Sequence, residues 1–392
     1  MNRKIPTGIV IGLLVLSVAL SSAATAGVIT REYDRVLAGL PQKLERYEIL
    51  DELDDVINKH YYGKSVETDI EQAIAQGYVS SLGDKGSKYM TASQYTSYLA
   101  ERNGNISGIG IEYTRTAESC LEVTSVDSSS PAYEAGIREG DLIIAFDGIM
   151  LDADNYDSMV EKLTSEKVTG VNLIYKRGDT ETTANITKGY SARSVKTDVY
   201  ENVGYISITE FYPLTVLQVE EAVNRFTASE LSAIVIDLRK NRSDNYEVAM
   251  QVLDLFVPMS DSDKAAATVV DEDGNTVKTF ATTAGEVNIP VGVLVSSKTK
   301  QAAELFACNL RDFGKGLIFA EKTTGKSALY QEIFELSKGN AVLLTTGKVL
   351  PYSSESFDGV GLTPDYVLET KAGKGGIDAD SQFLYAVSIL VK

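Results

Sequence analysis

The chain has 392 residues and a formal net charge of −18. That length favours two or three domains over one, and that charge argues against nucleic acid as a partner, because phosphate binding needs clustered Lys and Arg. The only histidine is His60, which all but excludes a Ser-His-Asp triad or a His-based metal site. The two cysteines, Cys120 and Cys308, lie far apart in apolar surroundings and read as buried free thiols rather than a disulfide.

In chain order, residues 1–30 come first. Asn2-Arg3-Lys4 precedes an uncharged run, Ile5–Ile29, with a small-residue stretch at Ala24-Thr25-Ala26. This pattern fits a cleaved signal peptide or an uncleaved membrane anchor, since the run is long enough to span a bilayer. Either way the remaining chain is expected outside the cytoplasm. Residues 31–105 form a helical region, with apolar residues at helical spacing over Tyr47–Tyr61 and Asp69–Ser81. Leu82–Tyr98 is a turn-rich connector leading into a further short helix.

Residues 106–190 change character. Short alternating strands are expected at Gly108–Tyr113, Leu121–Val126, Leu142–Phe146, Asn172–Lys176 and Glu181–Ile186, with helices at Ala132–Ala135 and Asn155–Leu163. This arrangement resembles a PDZ domain. Gly108-Ile109-Gly110-Ile111 resembles the loop that binds a peptide carboxylate, and Ser130–Gly148 resembles the stretch that follows it. Glycines let such a loop turn several backbone N–H groups toward one carboxylate, and an exposed strand edge adds the peptide as a further strand. Ile109 and Ile111 are candidates to line the pocket for a terminal side chain.

Residues 191–392 alternate strand and helix: Gly204–Ile208, Leu214–Arg225, Ile234–Leu238, Tyr246–Phe256, Val291–Val295, Ala302–Leu310 and Leu317–Phe319. That order argues an α/β core. The whole is read as a multidomain α/β protein: a helical arm, a PDZ domain of short strands and two helices, and the α/β core.

Five motifs in one order resemble the carboxyl-terminal processing (tail-specific) serine peptidases. They are GYISITEF (Gly204–Phe211), IVIDLRKN (Ile234–Asn241), KTTGKSALYQ (Lys322–Gln331), LTTGKVLP (Leu344–Pro351) and GVGLTPDYVLE (Gly359–Glu369). The resemblance implies a Ser-Lys dyad: a serine at a helix start attacks, a desolvated lysine takes its proton, and backbone N–H groups hold the oxyanion. Lys326 falls on the base position. The nucleophile position, twenty-five residues earlier, holds Gln301. The glycines that help build the oxyanion site are replaced by Ser243 and Asp244, and Gln331 is the candidate for the residue that steadies the lysine.

Three functional readings stay open. The chain is a pseudopeptidase that binds protein C-termini or extended segments, acting as a regulator or partner of an active relative or by self-association. Alternatively a displaced hydroxyl (Thr299, Ser297 or Ser296) attacks with Lys326 as base, although each would require the loop to move several ångströms. A third possibility is other chemistry, for which no metal-ligand cluster, phosphate-binding loop or cofactor motif is found. Without a serine beside it, Lys326 also has a structural reading, as the ion-pair partner of Asp244 or Glu304.

Overall fold

The computed structural model describes residues 47–63, 67–84, 86–106, 108–165, 168–260, 265–283, 287–353, 355–368 and 376–392. The expected signal or anchor segment lies outside them. The chain divides into two compact units, residues 1–71 and 72–392. In the first, residues 47–60 are helical. No helix among the described residues is long and apolar enough to cross a membrane.

The second unit contains two α/β assemblies. In the PDZ-like part, strands Ile111–Arg115, Leu121–Val126, Leu142–Phe146, Gly170–Arg177 and Thr180–Thr187 follow one another across an antiparallel sheet, with Ile149–Met150 added beside Leu142–Phe146. Alternation decides which side chains go inward: Leu121 and Val123 are buried while Glu122 and Thr124 are exposed. Helices Pro131–Glu134 and Tyr156–Thr164 close this core, and Ser130 caps the first by accepting from Tyr133 N–H.

The α/β core is a six-stranded sheet in the order Val195–Tyr200, Val203–Ile208, Ala233–Asp237, Val291–Leu294, Gly316–Ala320, Tyr366–Val367. The first pair is antiparallel and the rest are parallel. Ala233–Asp237 and Val291–Leu294 read as continuous apolar runs because helices cover both of their faces. Helices Pro213–Ala228, Tyr246–Asp254 and Ala302–Asp312 pack on one face, and Ser381–Leu390 packs on the other. A separate antiparallel sheet joins Lys88–Met90, Ala341–Pro351, Ala267–Val270 and Thr276–Phe280, with Leu329–Glu335 also paired to Ala341–Pro351. Lys88–Met90 belongs to the stretch read as a connector, so that stretch supplies an edge strand to the core.

Both cysteines are free. Cys308 is buried as expected, whereas Cys120 is only half-buried.

Candidate functional site

The parallel strands place the site. The loop after Ala233–Asp237 carries Ser243 and Asp244, and the loop after Val291–Leu294 carries Gln301, so both open at the carboxyl ends of neighbouring strands. Gln301 is the N-cap of the Ala302–Asp312 helix, with φ 49° and ψ −112°. A positive φ at a glutamine is a strained backbone, of the kind found where a fold holds a residue in place for chemistry.

What holds Gln301 is Glu304, a fully buried carboxylate. It accepts the N–H of Gln301 at 2.9 Å, of Lys326 at 2.9 Å and of Ser327 at 3.0 Å, together with the hydroxyl of Thr324. One side chain therefore ties Gln301 to the loop of Thr324, Lys326 and Ser327. Burial pushes the Glu304 carboxyl above the usual range, and the hydrogen bonds from Thr324 and the backbone oppose that shift.

The N–H groups around the site are largely committed. Ser243 N–H donates to Asn241 Oδ1 at 3.0 Å, Ala302 N–H to the Ser243 carbonyl at 3.0 Å, and Asn245 N–H to Ser243 Oγ at 3.3 Å. Gln301 N–H is held by Glu304. An oxyanion site needs several such donors free and converging; these are bonded within the protein, whereas the neighbouring Asp244 N–H donates to no group among the described residues.

Asp244 is not a loose carboxylate. Arg102 Nη1 lies 2.9 Å from its Oδ1 and the Tyr98 hydroxyl 3.3 Å from its Oδ2. Both partners come from the Ala92–Arg102 helix, so the N-terminal part of this unit clamps Asp244. Tyr98, Glu210, Arg242, Ser243, Asp244 and Gln301 are among the residues lining a cavity of about 290 Å³. Burial raises the Glu210 carboxyl to about 7, with the Asp244 charge adding to the shift and the Ser243 hydroxyl and Arg242 opposing it.

Lys326 is exposed and has φ 71°. Among the described residues its ammonium has no ion-pair partner: Asp244 is taken by Arg102, and Glu304 receives the Lys326 backbone N–H rather than its side chain. The alternative ion pairs expected for Lys326 are therefore not formed.

Gln331 is placed elsewhere. Its amide nitrogen is buried without a hydrogen-bond partner, and a Cβ on Gly86 would fall 2.3 Å from it. The reason is a register shift between Tyr330 and Gln331 in their pairing with Ala341–Pro351. Tyr330, one residue earlier, gives its hydroxyl to Glu247 at 2.9 Å and receives Lys278 Nζ at 2.6 Å. Neither residue holds Lys326.

Two of the displaced hydroxyls are also committed. Thr299 is fully buried and donates to the Leu238 carbonyl at 2.8 Å, and Ser296 donates to the Arg239 carbonyl at 2.6 Å. Ser297 is exposed and lines a different cavity.

The PDZ loop is built the opposite way. The carbonyls of Gly108, Ile109 and Gly110 accept from Gly189, Ala132 and Asp127 N–H at 3.0, 3.1 and 2.9 Å. The N–H groups of the same three residues donate to no group among the described residues. Gly110 has φ 82°, and a Cβ there would lie 2.1 Å from Ser130 Cβ, so only glycine fits. The adjoining strand Ile111–Arg115 is an edge strand. It faces the Tyr156–Thr164 helix: a Cβ on Gly108 would lie 4.0 Å from the Leu163 carbonyl, and Arg115 stacks 4.2 Å over the Tyr156 ring at the far end. One expectation is corrected. The Ile109 side chain is 2% exposed and packed into the PDZ core, where Leu121, Ala132 and Ile137 are also buried, so it lines no open pocket; Ile111 is half-buried beside that core.

Sequence reasoning missed Glu304 as the hub, Glu210 as the perturbed acid, and the Tyr98–Arg102 clamp. Glu210 lies inside a motif that was recognised, GYISITEF, so its carboxylate was visible. The clamp spans more than 140 positions of sequence and left no local signal.

Comparison with known proteins accords with this architecture. The model of Peptidase family S41 matches residues 202–368, and that of a PDZ domain matches residues 107–187. A "Probable CtpA-like serine protease" of Staphylococcus haemolyticus is 27% identical over 91% of this chain and 71% of its own length. One of Staphylococcus epidermidis is 28% identical over 80% and 64%. The chain thus spans about two thirds of the length of these curated relatives. The solved photosystem II D1 C-terminal processing protease shares the fold, with a TM-score of 0.52 at 19% identity over 87% of this chain and 90% of that one. The chain thus carries a core that matches the model of Peptidase family S41 and a PDZ domain before it, and along most of its length it is similar to CtpA-like serine proteases.

Proposed function

We propose that this protein captures protein C-termini or extended polypeptide segments through its PDZ loop and does not hydrolyse them by a Ser-Lys mechanism. The observation that carries the reading is the contrast in backbone donors. Gly108, Ile109 and Gly110 present unpaired N–H groups, whereas Ser243, Gln301 and Ala302 have theirs consumed. Gln301 has no nucleophilic hydroxyl, and Lys326 is exposed with no ion-pair partner among the described residues. Outside the described residues, the charged start and uncharged run of residues 1–30 support an extracytoplasmic location, tethered or secreted; an external protease that leaves the chain intact in sealed cells would oppose it. An active relative carrying a nucleophilic serine is the partner class this reading favours.

The test pairs a binding assay with an activity probe. Peptides with a free C-terminal carboxylate should bind roughly tenfold more tightly than their amides, the scale of a lost charge-assisted hydrogen bond. A fluorophosphonate probe should leave the protein unlabelled. Equal affinity for acid and amide would remove carboxylate capture, and labelling lost on Ser297→Ala would restore the displaced-hydroxyl reading.

A further inference from the structure

On the core, away from Gln301, lies a second cavity of about 570 Å³. It also opens at the carboxyl ends of the parallel strands, where ligands bind in open α/β sheets. Successive loops each place one lysine on it: Lys240 follows Ala233–Asp237, Lys298 follows Val291–Leu294, and Lys322 follows Gly316–Ala320. Lys196 of the edge strand Val195–Tyr200 is the fourth.

The carboxylates on the same wall are already engaged. Arg239 Nη2 lies 2.6 Å from both Asp237 and Asp380, and the Tyr205 hydroxyl donates to Asp237 at 2.7 Å. Glu321 accepts from Gln382 at 2.6 Å. Arg239 and Asp380 shift in the directions of a formed pair, the guanidinium up and the carboxyl down; burial opposes both shifts, and their mutual hydrogen bonds and charge outweigh it. All four lysines are exposed, and among the described residues none has an ion-pair partner. With Arg239 the lining carries five cations against the carboxylates of Asp237, Asp380 and Glu321, a net positive wall in a chain of net charge −18.

We propose that this cavity binds a small, multiply charged oxyanion, held by Lys240, Lys298 and Lys322 from three consecutive strand ends, with Lys196 on the rim. A ligand of one charge would leave most of the lysines unmatched, whereas one with two or more negative groups satisfies several together. Inorganic pyrophosphate is the simplest phosphate-borne probe and citrate the carboxylate-borne one.

Calorimetric titration of the full chain should show binding of one or both, weakening at high salt, and much weaker binding of acetate. The combined Lys240→Gln, Lys298→Gln and Lys322→Gln variant should bind at least about tenfold more weakly. Lys176→Gln, on the PDZ domain beside Glu181, should bind like the parent. The proposal is overturned if both probes bind no better than acetate, if the triple variant binds as the parent does, or if Lys176→Gln loses as much as the triple variant. Should the triple variant fail to fold, Lys298→Gln alone, an exposed position, decides: a loss of roughly threefold is expected, and no loss rejects the site.

Discussion

The PDZ loop and the Gln301 site start from the same material, backbone N–H groups at a turn, and use it in opposite ways. At Gly108–Gly110 the carbonyls are tied to the scaffold and the N–H groups are left over. At Ser243, Gln301 and Ala302 the N–H groups are tied down, by Asn241, by Glu304 and by the Ser243 carbonyl. The lesson is that an anion site is recognised by which half of the peptide bond the fold has already spent. A glycine-rich sequence is only the precondition.

The sharpest way to break the contrast is to remove what spends the donors. Glu304→Ala leaves three N–H groups and the Thr324 hydroxyl without their buried acceptor. It should cost about 4 kcal/mol in denaturant unfolding, the scale of a broken buried network; a cost below that of an ordinary surface change would show that Glu304 is not the hub. Gly110→Ala attacks the other side. A Cβ at φ 82° and 2.1 Å from Ser130 Cβ should destabilise by about 3 kcal/mol and lower carboxylate-peptide affinity; unchanged binding would mean that the loop is not the receptor.

Glu210 gives a pH test of the cavity beside Gln301. Its folded value of about 7 lies above the ordinary 4.5, so the folded state keeps a proton that the unfolded chain has released. This contribution to stability therefore falls as pH rises from about 4.5 to about 7 and changes no further above that. Glu210→Gln should flatten the profile over that window by on the order of 2 kcal/mol; an unaltered profile would place the carboxyl in solvent. The smallest effect is expected at Lys326. Lys326→Ala, exposed and without an ion-pair partner among the described residues, should change stability by less than about 0.5 kcal/mol and leave peptide binding unchanged. A large loss would mean that the ammonium has a partner in the working protein.

Much of this was legible in the chain. Leu121–Val126 and Leu142–Phe146 appear with the expected bounds, because alternating or apolar runs between turn residues are local signals. The helix starting at Ala302 and its Gln301 cap were expected in that register. The antiparallel sheet around Ala341–Pro351 was not recognised as one unit, since its strands pair across long separations. The inward turn of Ile109 was missed for a related reason: in a glycine-flanked loop no alternation fixes which way a side chain points.

By itself the sequence determined the resemblance to the S41 core and the PDZ domain, the order of those parts and the glutamine at position 301, because these are matters of residue identity and spacing. Tertiary structure alone decided that Lys326 is exposed, that Asp244 is clamped by Arg102, that Gln331 lies against Gly86, and that the PDZ donors are free while those of Ser243, Gln301 and Ala302 are spent. Each of those depends on groups distant in sequence competing for the same hydrogen bond or the same buried volume, and the outcome of that competition is fixed only once the chain has packed.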